Sequence, residues 1–177
     1  MMSERIEFML SGSGGQGLIT AGIILAAAAL NDGKNAIQSQ SYGPEARGGA
    51  ARAEVVISDA EIDHPKSTIP KYVLCLTDES YRAYGATASA DAVVMVDSSI
   101  TVDAGKNILA APILETAVKE FRPMVANAIA IGFVVGCTEV VSQEAVKKAL
   151  LESVPKGTEA LNENALAKGF ELAKMVK

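Results

Sequence analysis

The chain has no tryptophan, and aromatic residues make up only 5% of its 177 positions. Its core must therefore be built from Ala, Val, Ile and Leu, small side chains that favour close packing of helices on a sheet. Cysteine is nearly as scarce. Cys75 and Cys137 are the only two, and no C-x-x-C is present, so the chain cannot by itself supply a four-cysteine iron–sulfur or zinc site. Both lie inside apolar runs and read as buried thiols of a reducing cytoplasm. His64 is the only histidine. Within Asp63-His64-Pro65 it reads as a turn residue, because a catalytic imidazole needs an orienting partner. No cluster of Lys or Arg stands out and the net charge is -5, which argues against nucleic acid and anionic membranes as partners. No apolar run suits a membrane span of about twenty residues. Leu18 to Leu30 is too short, and Met124 to Val141 is interrupted by Asn127, two glycines, Thr138 and Glu139. Met1 to Glu7 lacks a basic region followed by an apolar stretch, so no signal peptide is expected and the cytoplasm is the expected location.

What is present is an ordinary globular composition, 49% hydrophobic and 21% charged. The length suits one domain, residues 1–177, large enough for a core without disulfides or metals. Ile6 to Leu10 reads as a first strand and Gly17 to Leu30 as a helix that is apolar nearly all round. Asn31-Asp32-Gly33 ends the helix, with Gly33 suited to a left-handed position. Asn35 to Gln40 reads as a second strand, so the chain opens as a βαβ unit. Turn chemistry follows at Gly43-Pro44 and Gly48-Gly49. Ala51, Ala53, Val55 and Ile57 then alternate, predicting a strand with one covered face.

Further along, residues 63–70 read as a loop, Tyr72 to Leu76 as a strand and Asp78 to Ala88 as a polar helix. Ala92 to Val96 and Ile108 to Ala111 read as strands, the second stopped by Pro112. The remainder is helical. Pro123 suits a first helical position, and Ser142 and Thr158 are candidate caps for the last two helices. Ala128, Gly132 and Gly136 form a small-residue stripe, read as core packing rather than a subunit contact. The expected fold is α/β: a three-layer, Rossmann-like α/β/α sandwich with a mostly parallel or mixed sheet and C-terminal helices.

Two glycine-rich stretches carry the functional signal. In Ser11-Gly12-Ser13-Gly14-Gly15-Gln16-Gly17, the residues Gly12, Gly14 and Gly17 match G-x-G-x-x-G between a strand and a helix. That is where backbone amides and a helix dipole can meet a pyrophosphate. The rest of a dinucleotide site is missing. Its second strand ends in an acid for the ribose hydroxyls, whereas Gln38-Ser39-Gln40 has neither acid nor Arg. Nor is this a P-loop, because no Gly-Lys-Ser/Thr follows. Candidate backbone contacts for a ligand or partner are Gly12, Gly14, Gly15, Gln16 and Gly17. A stand-alone NAD(P)- or flavin-binding Rossmann oxidoreductase is the alternative reading.

The second stretch is Ser41-Tyr42-Gly43-Pro44-Glu45-Ala46-Arg47-Gly48-Gly49. Ser41, Tyr42, Gly43, Pro44, Glu45, Arg47, Gly48 and Gly49 form a candidate loop facing an interface or an active site. Arg47 could pair a carboxylate or phosphate bidentately, or be held locally by Glu45. Asp97-Ser98-Ser99, at a strand's carboxyl end, is a further candidate, with a plain turn as the other reading.

Together the two stretches resemble the gamma subunit of 2-oxoacid:ferredoxin oxidoreductases, as do Glu54 to Ser58 and the Ile62 to Pro65 turn. The resemblance covers essentially the whole chain. It implies a subunit of an enzyme that oxidatively decarboxylates a 2-oxoacid with coenzyme A, giving acyl-CoA, CO2 and two electrons for ferredoxin. It implies no catalytic residue and no cofactor or metal in this chain. Thiamine diphosphate, magnesium and the iron–sulfur clusters belong with alpha and beta subunits and a ferredoxin-like delta subunit. The Ser41 to Gly49 loop looks most like that of 2-oxoglutarate enzymes, with 2-oxoisovalerate enzymes close behind. An isolated gamma chain is a candidate homo-oligomer.

Overall fold

The computed structural model describes residues 4–41 and 50–177. A six-stranded sheet is built from β1 (Arg5–Gly12), β2 (Asn35–Ser41), β3 (Ala51–Ser58), β4 (Tyr72–Cys75), β5 (Val93–Asp97) and β6 (Asn107–Ala111). Its spatial order is β2-β3-β1-β4-β5-β6. The sheet is mixed. Only β3 runs against the rest, pairing antiparallel with both β1 and β2, while β1, β4, β5 and β6 pair in parallel.

The helices are α1 (Leu18–Asn31), a short α2 (Asp78–Ser80), α3 (Ile113–Glu120), α4 (Ala126–Thr138), α5 (Gln143–Ser153) and α6 (Glu159–Val176). One sheet face presents Phe8, Leu10, Val55, Ile57, Leu74 and Met95 to a single large core shared with α1 and α3 to α6. Each fully buried aliphatic or aromatic side chain there contributes about 1.5–3 kcal/mol. The opposite face buries Met9, Val73, Cys75, Val94 and Val96 under Tyr81, Tyr84 and Ile100. Among the described residues that third layer is thin, one short helical segment and neighbouring loops.

Several expectations change in detail. The opening β1-α1-β2 unit does run parallel, but β3 is inserted between its two strands, so β2 is the sheet's edge. For the same reason β3 is covered on both faces rather than one, with only Arg52 left half-buried. The expected polar helix from Asp78 to Ala88 is shorter and polar on one side only, because Tyr81 and Tyr84 are buried while Asp78, Glu79 and Arg82 are exposed. After Thr77 caps α2, the backbone widens into a π-helical segment, Tyr81–Gly85. A Cβ on Gly85 would collide with Tyr81 and Cys75, so glycine lets the segment lie close on the sheet. Ser142 caps α5 as expected, accepting from the Ala145 amide at 3.1 Å. Thr158 does not cap α6 with its side chain, because its hydroxyl donates backward to the Pro155 carbonyl at 2.6 Å. Cys75 is buried as expected, whereas Cys137 is only half-buried.

The small-residue stripe of α4 packs inside the chain, as expected. Gly132 abuts the backbone of Leu166 and Gly169 on α6, and Gly136 faces Ala173. Without side chains at these positions the two helices approach at backbone distance, which buries α4 on every side.

Candidate functional site

The carboxyl ends of β1, β4, β5 and β6 lie along one edge of the sheet, which is also where β2 ends and β3 begins. Gly12, the last residue of β1, pairs with Ala51, and Ser41 pairs with Arg52. The glycine turn and both anchors of the second motif therefore share this edge. Ser41 is half-buried at the end of β2. Tyr42, Gly43, Pro44, Glu45, Arg47, Gly48 and Gly49 lie outside the described residues.

The glycines of the first motif are present for different reasons. A Cβ on Gly12 would collide with Oε1 of Gln16 and lie 2.8 Å from Cδ1 of Leu18. Gly17 has φ +71°, and a Cβ there would stand 2.9 Å from Nδ2 of Asn127. Both positions are required by the fold. Gln16 serves the turn itself, its Oε1 accepting from the Ser13 amide at 2.8 Å. Gly14 and Gly15 differ. They form an exposed 3-10 turn ahead of α1, have no positive φ, and a Cβ on either would meet nothing within 4 Å. Nothing among the described residues calls for glycine there. Their amides, at the start of a helical turn, have no partner within it. Asn127, beside Gly17, adds a half-buried side-chain amide to the same edge. Sequence reasoning used Asn127 only against a membrane span. The available signal was that it is the one strongly polar side chain between Met124 and Cys137.

The other candidates have structural duties. Asp97 is buried, and its carboxylate accepts from the Ser99 amide and hydroxyl at 3.0 and 2.5 Å and from the Leu114 amide at 2.8 Å. It ties the end of β5 to the start of α3, which is the plain-turn reading. His64 is exposed in its loop, and its carbonyl oxygen accepts from Arg5 at 2.9 Å. Ser11 donates to the Leu74 carbonyl at 2.7 Å and lies 3.6 Å from the Cys75 sulfur. Burial pushes the Cys75 thiol up to about 11 despite the hydrogen bonds from Ser11 and Ser80. Burial also raises Cys137 to about 11, against the opposing effect of Lys177. Neither thiol is poised as a nucleophile or as a thiolate ligand. Among the described residues no three His, Cys, Asp or Glu side chains are grouped to hold a metal ion. Among the described residues, two separate thiols with raised pKa values do not fit an iron–sulfur cluster.

Sequence reasoning missed two buried carboxylates on the thin side of the sheet. Glu7 accepts from Arg5 Nε at 2.8 Å, Ser67 Oγ at 2.9 Å, and the Thr68 and Ile69 amides at 2.7 and 2.9 Å. Burial works to raise its pKa. The hydrogen bonds from Arg5, Ser67, Ile69 and Thr68 outweigh burial and hold it below the ordinary value. Glu54 accepts from the Ser67 amide at 3.1 Å and pairs with Arg52 at 3.2 Å. Together they bind the 66–69 loop to the sheet. The signal was an Arg-x-Glu in each strand, at Arg5-Ile6-Glu7 and Arg52-Ala53-Glu54.

The topology also bears on the dinucleotide alternative. The strand following α1 does not lie beside β1, because β3 intervenes, and it ends without an acid near the glycine turn. Three surface grooves, of about 560, 270 and 480 Å³, include no residue of the turn. No helix of the described residues is long and apolar enough to cross a membrane.

Comparison with known proteins agrees with this geometry. The family model described as pyruvate ferredoxin/flavodoxin oxidoreductase matches residues 7–172. The 2-oxoglutarate synthase subunit KorC of Methanocaldococcus jannaschii is 46% identical, with 96% of this chain and 95% of that protein covered. The crystal structure of a keto/oxoacid ferredoxin oxidoreductase gamma subunit from Geobacter sulfurreducens matches with a TM-score of 0.89 at 44% identity. It covers 98% of this chain and 99% of that one. The fold also recurs, at 21% identity and a TM-score of 0.88, within a 2-oxoglutarate:ferredoxin oxidoreductase chain from Magnetococcus marinus. That match covers 98% of this chain and 32% of the longer one.

Proposed function

Because the chain belongs to the pyruvate ferredoxin/flavodoxin oxidoreductase family, we propose that it is the gamma subunit of a multi-subunit 2-oxoglutarate:ferredoxin oxidoreductase. The complex would convert 2-oxoglutarate and coenzyme A to succinyl-CoA and CO2, passing two electrons to ferredoxin. The observation that carries this reading is the end-to-end identity to KorC, 46% over nearly the whole of both chains. Alpha and beta subunits would carry thiamine diphosphate, magnesium and iron–sulfur clusters, with a ferredoxin-like delta subunit and a cytoplasmic location. No step of the carbon or electron chemistry is assigned to residues of this chain.

Its contribution is positional. We place the Gly14-Gly15 turn and the Ser41 to Gly49 motif at the boundary with the larger subunits, at the rim of the assembled active site. Two exposed glycines that the fold does not require support this, as does the anchoring of both motifs at one sheet edge. Amide N–H groups are donors, so whatever meets the turn presents an acceptor oxygen.

The test is anaerobic purification of the chain from its native source, followed by identification of what accompanies it. Two larger subunits and 2-oxoglutarate-dependent, coenzyme A-dependent ferredoxin reduction are expected. The recombinant chain alone should be colourless. A tight nicotinamide or flavin complex of the isolated chain would overturn the proposal.

A further inference from the structure

One flank of the molecule is built from two elements that carry no charge, joined by a turn that holds Asp32 and Lys34. The 14 residues of α1 and the seven of β2 contain no Asp, Glu, Lys, Arg or His. In a chain with 16 basic and 21 acidic residues, so long a charge-free surface element is unusual.

The two elements also face the same way. A Cβ on Gly22 would meet Ala53, Gln38 and Val55, so Gly22 points down at β3 and β2. A helix turns about 100° per residue. Ile19, Ile23 and Leu30 therefore fall about 60° to 100° round from Gly22, to one side. On the opposite side Ala21, Leu25 and Ala28 are fully buried. The top of the helix is held by α5, where the Asn31 side chain donates to the Ala145 carbonyl. The remaining side looks out over the edge of the sheet, and there Ile23 is 48% and Leu30 58% exposed. Directly below runs β2, whose only strand partner among the described residues is β3. Among the described residues no second strand pairs with its outer edge. Sheet edges are ordinarily protected by Lys, Pro or an inward charge, and Asn-Ala-Ile-Gln-Ser-Gln-Ser has none of these.

We propose that this flank is a self-association surface. Two copies of the chain pair β2 to β2, antiparallel about a two-fold axis at Gln38, with the α1 stripes packed side by side above the junction. A second copy fits the chemistry for two reasons. Antiparallel pairing of identical strands satisfies a two-fold exactly once, setting Asn35 opposite Ser41, Ala36 opposite Gln40 and Ile37 opposite Ser39. Two chains of charge -5 repel each other, and neither α1 nor β2 brings a charge of its own to such a seam.

The size of the surface sets the strength. The strand is ~24 Å long and the helix ~21 Å, and together they are ~17 Å deep. That is about 400 Å² per copy in flat projection, and side-chain relief brings the pair to the order of 1,200 Å², the lower limit of specific interfaces. A contact at that limit is of the weak, reversible kind, so association is sought across a wide concentration range.

This inference stands apart from the proposed enzyme activity and is tested on the full chain alone. Light scattering after gel filtration, from about 1 µM to about 200 µM, should show the mass rise from 18.4 kDa toward twice that value. Ile23→Glu with Leu30→Glu should weaken association at least about 100-fold by setting four unpaired carboxylates together. Circular dichroism and melting temperature should be unchanged, since both positions are exposed. Val118→Glu, on another exposed apolar residue, should leave the dimer intact. Hydrogen exchange should slow at β2 amides as concentration rises. A chain that stays monomeric throughout, or a dimer indifferent to the α1 pair of substitutions, would overturn the proposal. So would protection of the β2 amides by a larger subunit in the native complex.

Discussion

Replacing Gly132 by Ala tests whether close helix approach or helix propensity dominates at the α4–α6 crossing. In an exposed helix that change stabilises by about 1 kcal/mol. Here the new methyl would collide with the Leu166 carbonyl oxygen and stand 3.1 Å from the Gly169 Cα. From the other helix, a Cβ on Gly169 would lie 2.7 Å from the Phe133 nitrogen and 2.8 Å from the Gly132 Cα. These obstacles are backbone atoms, so no rotamer change relieves them and the helices must separate by about 1 Å. Overpacking of a tight core costs about 1–3 kcal/mol, and the rigid contact puts this site at the upper end. Set against the propensity gain, the net loss is about 2 kcal/mol. In a protein of this size each kcal/mol lowers Tm by about 2–4 °C, so a drop of about 4–8 °C is expected in thermal unfolding followed by circular dichroism. Gly136→Ala provides the contrast. Its methyl meets chiefly the Ala173 Cβ, at 2.5 Å, so adding Ala173→Gly should restore most of the loss. A Gly132→Ala protein as stable as the parent would refute the argument, because propensity would then have prevailed over contact.

Three other outcomes are expected. Glu7 has its folded-state pKa held below the ordinary value. It therefore adds stability above the unfolded-state value of 4.5, and that contribution is lost as pH falls through the lowered pKa. Urea unfolding of the parent and Glu7→Gln should differ most at neutral pH and converge in acid; a constant gap would contradict this. Gly14→Ala with Gly15→Ala should leave melting unchanged, since nothing lies within 4 Å of either added methyl. The same pair should reduce assembly or turnover of the complex, and full activity would remove the turn from the shared site. Arg47→Ala should likewise lower assembly or turnover, and normal behaviour in both would show that Arg47 serves only its own loop.

Much of the architecture was legible because local signals agreed with one another. The strand before the glycines, the apolar run of α1 and Gly33 at φ +77° all appear where periodicity and turn chemistry place them. The fold class and the family were readable from the same residues. What sequence could not supply was strand order. Alternation in Ala51 to Ile57 describes one face truthfully, yet insertion of β3 between β1 and β2 buries the other face as well. The 78–88 segment misled because Asp78, Glu79 and Arg82 advertise a polar helix while Tyr81 and Tyr84 turn inward. Glu7 and Glu54 escaped because a charged residue in a short strand ordinarily marks a solvent face. Their partners come from a loop about 60 residues away in the first case and 13 in the second. The candidate site was legible as two motifs. Their meeting at one edge required the pairings of Gly12 with Ala51 and Ser41 with Arg52.

The reversed direction of β3 has a consequence for the second glycine motif. Had β3 run parallel to β2, the residues between them would have had to cross the whole height of the sheet. As it stands, the chain leaves Ser41 and returns at Ala50 across a single strand spacing of about 5 Å, at the sheet edge that holds the glycine turn. The sheet therefore fixes both ends of the second motif, Ser41 opposite Arg52 and Ala51 opposite Gly12, beside the glycine turn.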